Sequence, residues 1–309
     1  MVYGIGYQGS KSQIVEEIIE FLPRGKRLVD LCGGGFAVTH CAMLRGKWEK
    51  YLYNEYNSGL VELIKRSIKG EYNYGVFTPR WISREEFKEK KEKDSYVKYV
   101  WSFSNNGFTY FCGKDKEEIA KSLHNYVVYK KKNEYIENNY KEIDKYVVSE
   151  DISTRRKELG RYFKELTGER KRQEQLERLE RLQQLERLER LPQLERLEIT
   201  NKSYEDYEYE EGDVVYIDPP YENTKGYNEE EFDHQKFYDW VASREYEVYF
   251  SSYEISDTKR FKKVWCKEKR SLMCRAKYTY NNEYIYTQRW NNRYKEIKET
   301  KEEYNLFSI

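Results

Sequence analysis

Histidine is nearly missing from this 309-residue chain: there are three, and the five cysteines (Cys32, Cys41, Cys112, Cys266, Cys274) form no C-x-x-C pair. So few imidazoles and an odd number of unspaced thiols match neither a zinc ligand set nor a disulfide framework. Reduced thiols and no metal are expected. No apolar run approaches the roughly 18 residues that mark a membrane span, and no charged-then-apolar leader opens the chain. Neither a span nor a signal peptide is therefore expected, and the expected location is the cytoplasm of a bacterial host. Neither charge is in excess either: 56 Lys and Arg face 55 Asp and Glu, a net charge of +1. Any nucleic-acid face must then be local. What the chain has in plenty is tyrosine, 32 of them, among many Lys, Glu and Asn residues. That ring-rich polar character suits a nucleic-acid surface, and biased base composition in an AT-rich bacterial or phage gene produces it equally well. The length allows one large domain or two modest ones.

The stretch that organises the rest is Val214-Val215-Tyr216-Ile217-Asp218-Pro219-Pro220-Tyr221, preceded by the turn signal Gly212-Asp213. The β-prone run predicts a strand buried on both faces. Two prolines stop it abruptly, because neither can donate to a ladder and the first restricts the residue before it. A rigid turn at the carboxyl end of a central strand is where open α/β sheets hold ligands. Read blandly, Asp and Pro are common turn residues. The tetrapeptide nevertheless resembles the catalytic motif of amino-group DNA methyltransferases, in particular the Dam-like (D12 class) adenine-N6-specific family. The resemblance implies that Asp218 and the carbonyl of Pro219 accept hydrogen bonds from the amine of a flipped adenine, with Pro220 fixing the turn and Tyr221 stacking on the base. It implies S-adenosylmethionine as methyl donor and double-stranded DNA as partner.

Upstream, Tyr3 to Lys11 is a glycine-punctuated loop leading to a helix with Ile14, Ile18, Ile19 and Leu22 on one face and Pro23 after it. Gly9-Ser10-Lys11 would open that helix, where N–H groups favour an anion. The family carries an aromatic-x-Gly-x-Lys element here, which Tyr7 and Lys11 match in spacing, with Tyr where many members have Trp. Arg27 to Phe36 reads as strand, glycine loop and helix start, the first βα turn of a doubly wound sheet. Val38 stands where a third fingerprint glycine would be, which counts against a nicotinamide oxidoreductase. The resemblance assigns Tyr7, Lys11, Asp30, Gly33, Gly34, Gly35, Phe36 and Asp218 to the cofactor, with Tyr7 packing on its adenine. Tyr51 to Glu55 is a second strand ending in an acid, with Glu55 placed for ribose hydroxyls where the family usually has Asp. A helix from Ser58 to Lys69 completes the unit.

Residues 63–195 depart from the sheet pattern, and the family's order implies that they are an inserted, mainly helical target-recognition region between core segments 1–62 and 196–309. Within it, Trp101 to Gly113 interleaves aromatics with Asn and Gly. Asn105, Asn106 and Tyr110 are candidate DNA contacts, and a packed hairpin is the equal alternative. Residues 176–197 place leucine at every third position. A step of three on an α-helix turns about 300°, so the stripe drifts and cannot hold one seam. With i,i+4 pairs Glu174–Arg178, Glu177–Arg181 and Glu186–Arg190, residues 174–191 read as a solvated helical arm, a candidate for self-association, broken at Pro192.

Leu197 to Thr200 then predicts a strand returning to the sheet, and Asn223 to Asn228 a loop that would close over the base. His234 reads as a helix-start residue beside the cap Asp233. Glu247 to Tyr253 is the next strand, and Tyr284-Ile285-Tyr286 is the last, an antiparallel edge. Between them, residues 257–277 hold nine Lys or Arg against Asp257 and Glu268. Lys259, Arg260, Lys262, Lys263 and Arg270 are the candidate phosphate contacts, a solvated basic hairpin being the alternative. The expected fold is α/β, a Rossmann-like S-adenosylmethionine-dependent methyltransferase with a mixed, mostly parallel sheet and helices on both faces. The expected activity is adenine-N6 methylation of DNA. An RNA-base or cytosine-N4 methyltransferase, or a non-catalytic DNA-binding protein on the same fold, are the rivals.

Overall fold

The computed structural model describes residues 2–7, 9–167, 184–222, 232–271 and 279–297. Seven strands form one sheet: β1 Arg27–Leu31, β2 Lys50–Asn54, β3 Leu197–Thr200, β4 Asp213–Ile217, β5 Val248–Ser252, β6 Phe261–Ser271 and β7 Thr279–Gln288. Their order is β3-β2-β1-β4-β5-β7-β6. The five strands from β3 to β5 are parallel, and β7 runs antiparallel to both β5 and β6. From β1 the chain first builds outward through β2 and β3, then returns to place β4 on the other side. The crevice at the carboxyl ends of β1 and β4 is therefore the topological switch point, where such sheets bind ligands.

The central strands are apolar on both faces, so both are covered. All five residues of β1 and of β5 are buried, and β4 is buried after its first residue. Leu28, Val214, Tyr216 and Tyr249 point into one cluster with helices α1 (Val15–Phe21), α2 (Ala37–Arg45) and α3 (Ser58–Ile68). Val29, Val215, Val248 and Phe250 point into the other, against the helix His234–Ala242. Asp233 caps that helix by accepting the Lys236 N–H at 2.9 Å, as its position ahead of the aromatic face predicts.

Three expectations need correction. The strand holding Tyr284 to Tyr286 is not an edge: β7 lies between β5 and β6. The edge is β6, formed by the basic segment, whose lysines suit an exposed edge because they oppose further strand pairing. Secondly, α1 begins at Val15 without a side-chain cap, so Gly9 to Lys11 lies a turn ahead of the helix and presents no helix N-terminus.

The third concerns the leucine repeat. Residues 184–188 are helical, and Leu185, Leu188 and Leu191 are buried in the main core. The last turn tightens to i→i+3 bonds, Arg190 N–H to the Arg187 carbonyl at 3.1 Å and Leu191 N–H to that of Leu188 at 3.4 Å. At about three residues per turn a three-residue step keeps to one face. This end of the repeat is thus core, not a solvated arm, and its leucines are occupied by their own chain. Glu186 and Arg190 do pair, at 3.5 Å. The pairs Glu174–Arg178 and Glu177–Arg181 lie outside the described residues, as does the 223–228 loop.

Between α3 and β3 the described chain is built of helices, Arg84–Lys90, Ser95–Val100, Lys114–Tyr129, Glu134–Asn139, Ile143–Tyr146 and Ile152–Thr167. Its Phe87, Trp101, Tyr126 and Phe163 belong to the same apolar cluster as α1 to α3. Among the described residues no helix is long and apolar enough to cross a membrane, and no metal-binding cluster is present.

Candidate active site at the carboxyl ends of β1 and β4

A cavity of about 500 Å³ opens at the switch point. Its floor is the loop after β1. Cys32, Gly34 and Phe36 are all left-handed, with φ of 57°, 49° and 68°, so the backbone winds tightly before α2. Two of its glycines are forced by close packing. A Cβ at Gly33 would lie 2.5 Å from the ring of Tyr53, and one at Gly35 would lie 2.7 Å from the Ile5 carbonyl oxygen. Tyr53 donates its hydroxyl to the Gly34 carbonyl at 2.7 Å. Glu55, directly after β2, accepts the Gly34 N–H at 2.8 Å on one oxygen and the Asn57 N–H at 2.8 Å on the other. Burial raises the Glu55 pKa above the usual carboxylate range, and these N–H groups pull the other way.

Asp30 is fully buried beneath the loop. One of its oxygens accepts the Thr39 N–H at 3.1 Å and the Thr39 hydroxyl at 2.7 Å. The other has no hydrogen-bond partner among the described residues. Burial pushes its carboxyl up to about 7, the Thr39 hydroxyl lowers it, and the Asp218 carboxylate raises it further. Tyr7 lines the cavity with its ring edge-on to Tyr99 at 6.0 Å. Phe36 does not line it: the side chain is wholly buried, edge-on to Tyr53 at 5.0 Å, and plugs the core beneath the loop.

The opposite wall is the Asp-Pro-Pro-Tyr turn. Leu31 and Ile217 are register partners, so Cys32 and Asp218 leave the sheet side by side, and the Asp218 N–H reaches the Leu31 carbonyl at 3.3 Å. The ammonium of Lys11 is hydrogen-bonded to one oxygen of Asp218. It also lies 3.3 Å from Glu283 of β7 and 5.0 Å from the centre of the Tyr221 ring. The Tyr221 hydroxyl stands 3.1 Å from the other Asp218 oxygen and 2.9 Å from the same Glu283 oxygen. Tyr253 packs edge-on against the Tyr221 ring at 4.8 Å. Burial holds the Tyr221 hydroxyl well above its ordinary pKa, so it keeps its proton.

Two members of this arrangement escaped sequence reasoning. Glu283, 0 % exposed, lies in the middle of β7 immediately before Tyr284-Ile285-Tyr286, and a lone acid against that apolar run was the available signal. His234 starts its helix as expected, but its Nε2 also lies 3.0 Å from the Pro220 carbonyl. A carbonyl can only accept, so Nε2 carries the proton.

The candidate DNA residues are placed elsewhere. Asn105 is buried with left-handed backbone, beside Gly6. The Asn106 side chain accepts the N–H groups of Phe108 and Thr109 at 2.8 and 3.1 Å. Tyr110 is buried and donates to the Ile82 carbonyl at 2.7 Å. These three hold the turn, and the large apolar side chains exposed on it among the described residues are Phe103 and Phe108. Of the basic set, Arg260 pairs with Asp257 and, at 2.7 Å, with Asp239. Lys263 pairs with Glu254 at 2.7 Å, Lys262 is buried, and Lys259 is exposed. The fold thus brings acids from outside the segment to part of its charge. The Arg270 side chain lies outside the described residues.

Strand order and site together define a Rossmann-like methyltransferase: five parallel strands, an inserted antiparallel β7, and an acidic Pro-Pro-Tyr turn facing a glycine loop across the switch point. The chain belongs to the D12 class N6 adenine-specific DNA methyltransferase family, whose family model matches residues 7–271. It is by that membership an adenine-specific DNA methyltransferase, and its reaction requires a methyl donor. A search of curated proteins returns no match.

Proposed function

We propose that this chain transfers the methyl group of S-adenosylmethionine to N6 of an adenine swung out of duplex DNA in the host cytoplasm. The observation that carries the reading is the convergence of Asp218, Lys11 and Tyr221 on one cavity with the glycine loop and Glu55. The residues fit the donor. Gly33, Gly34 and Gly35 line the cavity, Asp30 offers an oxygen with no hydrogen-bond partner among the described residues, Glu55 keeps lone pairs for ribose hydroxyls, and Tyr7 offers a ring for adenine. When bound, S-adenosylmethionine supplies an electrophilic methyl on a sulfonium. The chain's part is to hold the amine. Asp218 and the Pro219 carbonyl accept its two N–H groups, which turns the nitrogen lone pair out of the ring, and Tyr221 stacks on the base. Lys11 holds the Asp218 carboxylate in place until the amine arrives. Residues 1–62 and 196–309 form the catalytic core, and 63–195 recognises the target, with Phe103 and Phe108 as its exposed apolar contacts.

The test is nucleoside mass analysis of unmethylated duplex DNA incubated with the protein and S-adenosylmethionine. N6-methyladenine supports the reading, N4-methylcytosine moves the substrate, and methylation of RNA alone replaces DNA. No modified base leaves a binding role. Asp218→Ala is expected to lower transfer at least about 100-fold while calorimetric titration still detects the donor.

A further inference from the structure

The hydroxyl of Tyr221 touches two carboxylates, yet a phenol has one proton. It can donate to one carboxylate and accept from the other only when that other is protonated. The distances of 3.1 Å to Asp218 and 2.9 Å to Glu283 therefore describe a bridge that becomes fully bonded once a proton reaches Asp218. Glu283 is buried, and nothing in the reading of the amine site uses it. The groups facing it come from every neighbouring segment: Lys11 at 3.3 Å, Asp218 and Tyr221 from the turn, Tyr216 from β4 and Tyr253 after β5. Lys267, its partner across β6, pairs with Glu17 at 2.9 Å instead.

Resting on the transfer reading above, we propose that Glu283 is the terminal acceptor of the proton released by the target amine, reached from Asp218 through the Tyr221 hydroxyl. The step balances. The N6 lone pair forms the bond to the methyl carbon while the carbon–sulfur bond breaks, its electron pair staying on sulfur. N6 then carries one proton more than the neutral product. Asp218 takes that proton and passes it to the Tyr221 oxygen, as the phenol's own proton moves to Glu283. Asp218 and Tyr221 end unchanged, the amine has lost a proton, and Glu283 has gained one. Tyr221 thus has two separable jobs, its ring for stacking and its hydroxyl for the relay.

Single-turnover methylation of duplex DNA, followed from about pH 6 to about pH 9, separates these roles in wild type, Glu283→Gln, Glu283→Asp and Tyr221→Phe. Loss of the base is expected to slow Glu283→Gln roughly 100-fold and to flatten its pH profile, with part of the rate restored in Glu283→Asp. Tyr221→Phe keeps the ring but lacks the bridge, so it should fall to the same level, and the double variant should be no slower than either. Donor affinity, measured by calorimetry, should stay within about threefold of wild type, a change under roughly 1 kcal/mol. A wild-type rate and profile in Glu283→Gln overturns the proposal. So does a slow Glu283→Gln beside an unimpaired Tyr221→Phe, because Glu283 would then serve only as the counter-ion of Lys11. If Glu283→Gln does not fold, as its melting curve would show, the Tyr221→Phe rate decides alone. Absence of methyladenine with the wild-type protein would instead refute the transfer reading itself.

Discussion

Asp30→Asn probes whether the floor of the cavity is as dry as the geometry makes it. Burial lifts the Asp30 carboxyl from its ordinary value of 3.8 to about 7. Between those values the folded protein keeps a proton that the unfolded chain has released. An acid raised in this way contributes stability that is lost as pH climbs through the window, and above the folded pKa the loss levels off. At about 1.4 kcal/mol per pH unit, the wild type should lose about 3 kcal/mol to this group between pH 5 and pH 8. Asparagine has no such titration, and its oxygen can accept both bonds from Thr39. Urea unfolding of both proteins at the two pH values, without ligand, cancels every other titrating group to first order. The difference in stability should move by about 3 kcal/mol in favour of Asp30→Asn at the higher pH. An unchanged difference would refute the reasoning, since it would mean Asp30 is already ionised at pH 5 and sits in a wet environment.

Two further substitutions test the packing. Gly33→Ala drives a methyl into the ring of Tyr53, which is itself buried and tied to the Gly34 carbonyl. It should destabilise the protein by about 1–3 kcal/mol in urea unfolding and weaken donor binding at least tenfold by titration calorimetry, an effect of about 1.4 kcal/mol. Leu188→Ala should cost about 2–5 kcal/mol, because Leu188 is wholly buried. A loss below about 0.5 kcal/mol would return this end of the repeat to the solvent.

What was legible in the sequence was local. Val214 to Tyr221 and Arg27 to Phe36 announce themselves by a β-prone run stopped by prolines or by a glycine loop, Leu197 to Thr200 by its alternating Leu, Glu, Ile and Thr, and each appears where read. What was not legible was pairing across distance. Lysines interrupt the apolar pattern of β6, so the segment reads first as a phosphate contact and only alternatively as a basic hairpin, and an edge tolerates such lysines. The insertion of β7 between β5 and β6 is likewise a fact of the sheet, not of any window of residues. Lys11 and Asp218 are 207 positions apart, and the resemblance placed both at one site without showing that they form an ion pair. Phe36 illustrates the reverse: beside the glycines it reads as a cofactor residue, but a left-handed backbone turns its side chain into the core. The same reasoning explains why Glu283 escaped notice. Asp218 is followed by two prolines that advertise a special turn, whereas Glu283 lies in an ordinary strand and acquires its chemistry only because β7 runs beside β5, bringing its carboxylate to the Tyr221 hydroxyl. A motif can mark where chemistry begins, but the group that completes it is chosen by sheet order. Acids in strands that run past the carboxyl ends of their neighbours, as β7 runs past β5 at Glu283, are therefore the residues to seek once the order is known.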